Sequence, residues 1–459
     1  MKKLKVFLTG ATGTMGSAVL ELLAARPERY AVTCLVRNPK SIEKTPYRNG
    51  GVSFIFGNLL KAADIERGVR DADIVLHIGG MVSPKADWYP DLTWRVNTGS
   101  MQAVVDAVKR RPDAERVGVV YIGSVAQYGF REEPYHWGRT GDPLRPVDYD
   151  AYSLSKIEAE RILAESGLKR WVSLRQTGIL CPQLLMKGAD PITFHVPLRG
   201  VLEWTTREDS GRLVAALCDR FDDLPDSFWR RFYNVGSGAT YRLDNYDFEC
   251  RLMKALGCPP PEKVFEPSWF ATRNFHGMWF ADSDRLEELF HFRSGKSVDE
   301  YFSYMASNTP AYFRLARFVP AALIKAAMKT VARKPPLGTL SWTRGRDPGR
   351  TRAFFGSQAE RDAIPGWDGL DLSRPSDTPR LLDHGYDESK PESEWTLADM
   401  EGAARFRGGR CLSRDMAKGD IYTPLLWEDA EGRRFSLTPA SVLLGGHWTP
   451  VAFGRQEAT

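Results

Sequence analysis

The feature that most constrains the fold is a glycine pattern directly after an apolar run near the N-terminus. Residues 5–16 read KVFLTGATGTMG and are followed by a helical stretch. A strand, a tight turn and a helix in this order predict a βαβ unit, in which Gly10 permits the turn, Gly13 lets the backbone approach a pyrophosphate, and Gly16 lets the helix pack on the strand. A purely structural glycine turn would have the same sequence, so other motifs in the chain are needed to distinguish it from a dinucleotide-binding turn.

Short β-rich runs alternate with helical stretches as far as residue 181. The predicted strands are 5–10, 31–37, 52–57, 73–80, 117–124 and 171–180, and the predicted helices are 16–25, 62–70, 97–110 and 152–166. Strands that alternate with helices predict an α/β fold, with a doubly wound parallel sheet covered on both faces. The unpaired N–H groups at the start of the first helix would then suit a phosphate.

The end of the second predicted strand bears on the cofactor. An acidic residue at this place would hydrogen-bond the ribose of NAD, but residues 35–40 read LVRNPK and contain no acid. Arg37 can pair with a 2′-phosphate, and Lys40 can assist. We therefore expect NADP(H) rather than NAD(H), although Arg37 could also be an ordinary surface charge.

A tyrosine and a lysine stand four residues apart in YSLSK, and the run YIGSVAQYG lies upstream at the end of a predicted strand. The spacing puts Tyr152 and Lys156 on one face of a helix, where the ammonium favours the phenolate and the pair can move a proton. Ser124 can converge on them, because the carboxyl ends of the strands form the ligand crevice. Ser124 would hold the reacting oxygen.

These motifs resemble the extended short-chain dehydrogenase/reductase family, which includes epimerases, dehydratases and enzymes similar to 3β-hydroxysteroid dehydrogenase. The resemblance covers residues 4–310 and rests on TGATGTMG, VLHIGG, VNTGSMQAVVDAV, GSVAQYG and YSLSK. It implies a Rossmann fold and a catalytic set of Ser124, Tyr152, Lys156 and Asn97. The cofactor contacts that it implies are Gly10, Thr12, Gly13, Thr14, Met15, Gly16, Arg37, Asn58, Leu59, Gly79, Lys156, Gln176 and Thr177.

Two positions depart from the family pattern. Asn58 stands where family members usually have an acidic residue that contacts adenine, and an amide can still hydrogen-bond that base. Residues 175–178 read RQTG, without the asparagine that sugar-nucleotide epimerases resembling this family usually carry. The second departure weakens an epimerase interpretation.

The chain is predicted to divide into a cofactor domain at 1–181, a substrate-binding region at 182–310, a helical segment with an irregular arm at 311–394, and a module at 395–459. The second region is rich in aromatic residues, which could be core or could line a pocket for a steroid-like or aromatic substrate. The candidate lining residues are His195, Trp204, Trp269, Phe275 and Trp279.

The C-terminal tail, WEDAEGRRFSLTPASVLLGGHWTPVAF, resembles a degenerate zinc-ribbon or treble-clef module. The expected sulfur positions hold Asp429, Thr449 and Ala452. Cys411 and His447 cannot supply the four donors of a tetrahedral zinc site, so we expect no metal. The module is expected to pack on the catalytic body or on a partner subunit.

Charge and composition limit the partners. A net charge of +5 over 459 residues, with basic and acidic residues interspersed, does not indicate nucleic-acid binding. The six cysteines are scattered, which favours a reduced, cytoplasmic protein. No run is long enough to span a membrane, but residues 312–333 could form either a packed helix pair or a peripheral lipid contact. A homodimer is expected to form through helices 97–110 and 152–166.

The sequence thus predicts an NADP(H)-dependent oxidoreductase that interconverts a lipophilic secondary alcohol and a ketone. A nucleotide-sugar epimerase or dehydratase with tightly bound NAD is the nearest alternative. A non-enzymatic NADP sensor whose tail binds a partner is a second alternative, although a sensor has no chemical reason to keep Ser124, Tyr152 and Lys156.

Overall fold

The computed structural model describes residues 2–42, 51–83, 85–186, 190–310, 315 and 317–450. The strands of this part are β1 Leu4–Thr9, β2 Tyr30–Val36, β3 Val52–Phe56, β4 Ile74–His77, β5 Gly118–Ser124, β6 Trp137–Gly138, β7 Trp171–Gln176, β8 Ile179–Leu180, β9 Val201–Glu203, β10 Thr205–Thr206, β11 Arg231–Val235, β12 Arg242–Asp244, β13 Trp279–Phe280, β14 Arg410–Cys411, β15 Leu425–Glu428 and β16 Arg434–Leu437. The helices are α1 Thr14–Ala24, α2 Ala62–Val69, α3 Lys85–Trp88, α4 Pro90–Lys109, α5 Ala151–Ala164, α6 Pro182–Met186, α7 Arg207–Asp219, α8 Asn245–Leu256, α9 Pro261–Val264, α10 Asp284–Phe290, α11 Val298–Ser307, α12 Ala321–Ala332, α13 Thr339–Trp342, α14 Pro348–Phe355, α15 Gln358–Asp362 and α16 Leu397–Phe406.

A seven-stranded parallel sheet forms the centre of the molecule, with the order β11-β7-β5-β4-β1-β2-β3. All residues of β4 and β5 are buried, as expected for inner strands that are covered on both faces. Strand order reverses between β1 and β4, so the crevice at their carboxyl ends is the place where a ligand is expected. The predicted doubly wound α/β fold is confirmed.

The seventh strand comes from beyond the predicted boundary at residue 181. Strand β11 pairs in parallel with β7, from Arg231 opposite Val172 to Val235 opposite Gln176. The connection between these two strands contains α7, which packs on α1 and completes one covering layer. The sequence analysis missed β11 because its five residues follow a long irregular connection and alternate between buried and half-buried positions.

Two hydrophobic layers hold the helices on the sheet. One layer joins the sheet to α1 and α7, and the other joins it to α2, α4 and α5. Phe7 of β1 is fully buried in the second layer, where its ring fills the space that a side chain at Gly68 would need. Burial of one such side chain contributes roughly 1.5–3 kcal/mol. The strand that carries the glycine turn is therefore held in place by the buried layers on both faces of the sheet.

The region that follows the sheet forms a smaller lobe beside the carboxyl ends of its strands. Helices α8 and α11 pack on each other over a core that includes Tyr241, Phe248 and Phe302. Trp204 stacks on Phe248 with ring centroids 4.6 Å apart. This lobe supplies the second wall of the crevice.

The segment that was predicted to be an irregular arm lies on the body of the protein. It contains α12 to α15, and its extended part makes polar contacts to the catalytic body. The backbone oxygen of Ser376 accepts a hydrogen bond from His136 at 2.8 Å, and Nε2 of His384 lies 3.0 Å from Oδ1 of Asp142. Residues that looked like a linker because they are rich in Pro, Gly, Arg and Asp are thus held by specific hydrogen bonds.

Helix α12 and the residues just before it present apolar side chains to the surface. Phe318 is 68% exposed and Leu323 is 62% exposed. Part of the predicted peripheral segment, at 312–314 and 316, lies outside the described residues. No described helix has the length and hydropathy needed to cross a bilayer.

The C-terminal module packs against the back of α5. Strands β14, β15 and β16 form an antiparallel sheet with α16, around a core that includes Trp427. Nε2 of His447 lies 2.9 Å from Oε1 of Glu160 on α5, and the Arg175 guanidinium donates to the backbone oxygen of Gly445. The module was expected to pack either on the catalytic body or on a partner subunit, and in the structure it packs on the body of the same chain.

One of the expected sulfur positions of this module makes hydrogen bonds within the module. Asp429, at one expected sulfur position, accepts hydrogen bonds from Nε of Arg433 at 2.6 Å and from Oγ1 of Thr449 at 2.8 Å. Ala452 lies outside the described residues. Within the described ranges, no group of three or more potential metal ligands comes together.

Candidate active site

The glycine turn joins β1 to α1 at the mouth of the crevice. Gly10 has φ +76°, in the left-handed region that favours glycine, and a Cβ at this position would lie 2.7 Å from Cα of Gly79. A Cβ at Gly16 would overlap the carbonyl oxygen of Gly10. No side chain caps the N-terminus of α1, and its first turn contains no acidic residue. The turn therefore leaves backbone N–H groups free for an anionic ligand.

The outer end of the crevice carries the residues expected to contact the adenosine part. Arg37 follows β2, is exposed, and lines the cleft together with Asn58 and Leu59. Oδ1 of Asn58 accepts a hydrogen bond from the Leu60 backbone N–H at 3.1 Å, and the Asn58 N–H donates to Asp64 at 2.9 Å. These bonds fix the loop. Lys40 lies in the short helix that follows and does not line the cleft.

The start of α5 presents the tyrosine and the lysine to the crevice. The Asp150 carboxylate caps this helix by accepting the Ser153 N–H at 2.8 Å. Tyr152 and Lys156 both line the cleft, and Nζ of Lys156 lies 5.9 Å from the centroid of the Tyr152 ring. The helix therefore brings the two side chains to one wall, as the spacing predicts.

Burial of the phenol acts against the acidification that the neighbouring ammonium is expected to cause. Burial raises the pKa of Tyr152 to about 12, against the lowering effect of a hydrogen bond with Ser124. Nζ of Lys156 donates instead to the backbone oxygen of Ile122 at 2.7 Å and lies 4.8 Å from the centroid of the Tyr121 ring. Tyr152 thus carries its proton at neutral pH and is suited to donate it.

Lys156 is buried in an environment that weakens its charge. Desolvation lowers the pKa of this ammonium to about 8, while the Glu160 carboxylate acts in the opposite direction. His77 lies in the same interior, and burial, reinforced by Lys156, lowers its pKa to about 3. His77 is therefore neutral and makes hydrogen-bond contacts with Thr9 and Ser100, at 3.0 Å each.

Ser124 ends β5 and lines the cleft beside Tyr152. Its Oγ accepts the backbone N–H of Ala126 at 3.2 Å, and its backbone N–H donates to Oε1 of Gln127 at 2.7 Å. This capping box orients the serine at the carboxyl end of the strand. The hydroxyl can still donate its own proton to a substrate oxygen.

Asn97 does not line the cleft. Its side chain accepts the Met81 backbone N–H at 2.8 Å, donates to the Met81 oxygen at 3.1 Å, and donates to Oγ of Ser155 at 2.9 Å. Asn97 thus fastens the loop after β4 to α5 and does not reach the cleft, where the resemblance places a catalytic residue.

Two polar atoms at the inner end of the crevice have no protein partner. Oε1 of Gln176 and Oγ1 of Thr177 are buried without a hydrogen bond in the part of the chain that the structure describes, and both residues line the cleft. Buried polar atoms without partners are rare in folded proteins. Together with the glycine turn, they fit a dinucleotide that runs from Arg37 to Gln176.

A single cleft of about 900 Å³ connects these groups. This volume lies near the upper end of the range typical of ligand sites. Apart from Asn97, all the catalytic and cofactor-contact residues that the resemblance implies line it: Gly10, Thr12, Gly13, Thr14, Met15, Gly16, Arg37, Asn58, Leu59, Gly79, Ser124, Tyr152, Lys156, Gln176 and Thr177.

The predicted aromatic lining is correct only in part. Trp204 and Phe275 line the cleft, but His195, Trp269 and Trp279 do not. Trp279 is fully buried, and His195 lies 2.6 Å from the backbone oxygen of Leu337 through Nε2. These three side chains belong to the core of the smaller lobe, which sequence patterns alone could not distinguish from a pocket wall.

The sequence analysis also missed cleft residues. Glu249 and Arg131 line the cleft, and Arg131 pairs with the buried Asp142 at 2.9 Å. Asp142 is in turn contacted by His384 from the arm. The positions of these residues depend on long-range packing, and no local motif marks them.

Comparisons with known proteins agree with this geometry. The model of the NAD dependent epimerase/dehydratase family matches residues 6–177. Short-chain dehydrogenase/reductase family 42E member 1 of Macaca fascicularis is 30% identical over 149 residues, which is 29% of this chain and 36% of that protein. Oxidase ucsJ of Acremonium sp is 40% identical over 72 residues, which is 16% of this chain and 20% of that protein. The matches thus span about a fifth and about a third of these relatives.

Solved structures extend the likeness of the fold. DesIV, a dTDP-glucose 4,6-dehydratase of Streptomyces venezuelae solved with NAD and TYD, has a TM-score of 0.52 and 17% identity over 66% of this chain and 96% of its own. UDP-glucose 4-epimerase of Thermus thermophilus, solved with NAD, has a TM-score of 0.50 and 20% identity over 68% of this chain and 99% of its own. Residues 6–177 thus match the model of the NAD dependent epimerase/dehydratase family, which agrees with their resemblance to the extended short-chain dehydrogenases/reductases.

Proposed function

We propose that the protein is an NADP(H)-dependent oxidoreductase that interconverts a lipophilic secondary alcohol and its ketone. The observation that carries the proposal is one cleft that joins the glycine turn to Ser124, Tyr152 and Lys156 and then continues into an apolar lobe. The family of residues 6–177 supports a nicotinamide cofactor. The preference for NADP(H) rests on Arg37 and on the absence of an acid at the end of β2.

Ser124 and Tyr152 hold the substrate oxygen in this proposal. When it is bound, the reduced cofactor supplies a hydride to the carbonyl carbon. The Tyr152 hydroxyl donates its proton to the carbonyl oxygen, and Ser124 orients that oxygen by a hydrogen bond. The Lys156 ammonium stabilises the phenolate that is left, because a positive charge nearby favours the ionised phenol. Asn97 holds the loop at Met81 against the catalytic helix through hydrogen bonds to both.

The substrate end of the cleft favours an apolar compound. Its wall includes Trp204, Phe248, Leu202 and Leu243. Arg131, a cation on this wall, is paired with Asp142 and is not free to bind a diphosphate. An apolar wall with few polar groups is typical of sites for lipophilic ligands.

A nucleotide-sugar epimerase or dehydratase with tightly held NAD is the second candidate. It is favoured by the ligands of the two solved structures, which contain NAD and, in DesIV, TYD. Purification followed by analysis of the bound nucleotide separates the candidates. NAD that survives gel filtration would favour the second one, whereas exchangeable NADPH that supports turnover of steroid-like or aromatic ketones would favour the first.

A homodimer through α4 and α5, a cytoplasmic location and a lipid contact near α12 stay predictions. Sedimentation of the purified protein measures the first of these. A monomer at all concentrations would contradict it.

A further inference from the structure

Glu249 is a buried carboxyl in the cleft wall to which the proposed reaction gives no role. It lies on α8, is 3% exposed, and lines the cleft at its substrate end. Its Oε2 has no hydrogen-bond partner within the described ranges of the chain. A buried acid without a partner costs stability, so its presence in a folded protein calls for a ligand or another function.

A second buried glutamate in the same lobe shows what a structural carboxyl looks like. Glu203 is fully buried and accepts hydrogen bonds from Nε of Arg242 at 2.8 Å, from Oγ of Ser283 at 2.6 Å and from the Phe280 N–H at 3.2 Å. Its oxygens are therefore satisfied by the protein. Glu249 differs because the described part of the protein leaves its Oε2 unpaired while the residue itself lines the cleft.

The surroundings of Glu249 favour the protonated form of its carboxyl group. Its neighbour in the chain, Phe248, stacks on Trp204, and both rings line the cleft. Burial alone raises the pKa of the Glu249 carboxyl to about 8. A protonated carboxyl has one O–H donor, which suits a neutral oxygen acceptor better than an anion.

We propose that Glu249 binds a second oxygen of the substrate, a carbonyl or a hydroxyl, at the end remote from the reacting carbon. This assignment rests on the proposed function and narrows it to bifunctional lipophilic substrates. Glu249 then determines specificity, because a site with a buried polar group discriminates against an analogue that leaves the group unpaired.

Three rigid ketones test the assignment. A steroid 3,17-diketone is compared with the matching 3-ketone and 17-ketone, so that the result does not depend on which end lies at Tyr152. Affinities are measured by calorimetry in the full chain, with NADP⁺ and without it. In the wild type, the diketone is expected to bind about tenfold more tightly than the better monoketone, which corresponds to one additional hydrogen bond.

Two variants give the assignment its controls. Glu249→Leu should bring the diketone and the better monoketone to equal affinity, whereas Glu249→Gln should retain several-fold preference because its amide can donate. Without ligand, Glu249→Leu should also raise the midpoint of urea unfolding, since it removes an unpaired buried polar group.

Four results would overturn the assignment: an unchanged preference in Glu249→Leu, no preference in the wild type, no binding of any of the three ketones, or a lowered unfolding midpoint in Glu249→Leu. Failure of the proposed function is seen separately. If the proposed function is wrong, NADP⁺ will not bind in these titrations. The titrations without cofactor then still show whether Glu249 distinguishes the three ketones.

Discussion

Replacement of Glu160 by glutamine tests a buried carboxylate at which α5, β7 and the C-terminal module meet. Glu160 lies one helical turn after Lys156 and is fully buried. Its carboxylate accepts hydrogen bonds from Nη2 of Arg175 at 2.6 Å, from Oγ of Ser173 at 2.5 Å and from Nε2 of His447 at 2.9 Å. Three parts of the chain thus meet at one carboxylate.

The expected loss of stability follows from the charge that the substitution leaves behind. The Arg175 guanidinium is also fully buried, so Glu160→Gln removes its counter-ion in the interior. Loss of one partner of a buried ion pair costs about 3–5 kcal/mol. Glu158→Gln is the matched control on the same helix, because Glu158 pairs with the partly exposed Arg161 and its loss should cost less than about 1 kcal/mol.

Urea unfolding followed by tryptophan fluorescence measures both variants. Burial by itself raises the pKa of the Glu160 carboxyl, but Arg175 and His447 outweigh it and hold the pKa below its usual range. A lowered pKa in the folded state stabilises the protein above the unfolded pKa, and this contribution is lost as the pH falls below it. The difference in the free energy of unfolding between the wild type and Glu160→Gln should therefore become smaller at acid pH. A loss equal to that of Glu158→Gln at neutral pH would refute the reasoning.

Three further predictions concern the cofactor and the proton. Gly16→Ala should abolish nucleotide binding measured by calorimetry, because the added Cβ would overlap the Gly10 oxygen. The control Gly99→Ala should bind normally, because no atom of another element lies within 4 Å of the added Cβ. Equal nucleotide affinity of the two variants would contradict the turn geometry. Arg37→Asp should shift the ratio of kcat/KM for NADPH and NADH towards NADH, and an unchanged ratio would exclude the 2′-phosphate contact. For ketone reduction, kcat/KM should fall as pH rises through about 8, because Lys156 loses its proton there; a flat profile from pH 7 to 10 would contradict this role.

The sequence predicted the parts of the molecule that depend on local patterns. The strand, turn and helix at residues 4–24 and the pair on α5 are fixed by glycine spacing and by the helical repeat, and both were recovered. Five of the six predicted strands were found with small shifts at their ends, whereas the run 171–180 divides into β7, which lies in the central sheet, and β8, which pairs with β10. Helix α4 begins at Pro90, earlier than the predicted residue 97, because proline suits the first turn of a helix.

The parts that were missed depend on contacts between distant residues. Strand β11 joins the sheet only after a long crossover. Burial raises the pKa of Tyr152, and Nζ of Lys156 donates to the backbone oxygen of Ile122, 34 positions earlier in the chain. The attachment of the tail through His447 to Glu160 spans 287 positions of the chain. No local signal reports such a pair.

The central claim is that Tyr152 transfers the proton in the cleft next to the nicotinamide site. Tyr152→Phe should keep the affinity for NADPH within about twofold and lower kcat for ketone reduction by orders of magnitude. Tyr149→Phe, three residues away and exposed, is the control and should retain wild-type kcat. Unchanged kcat in Tyr152→Phe would contradict the account.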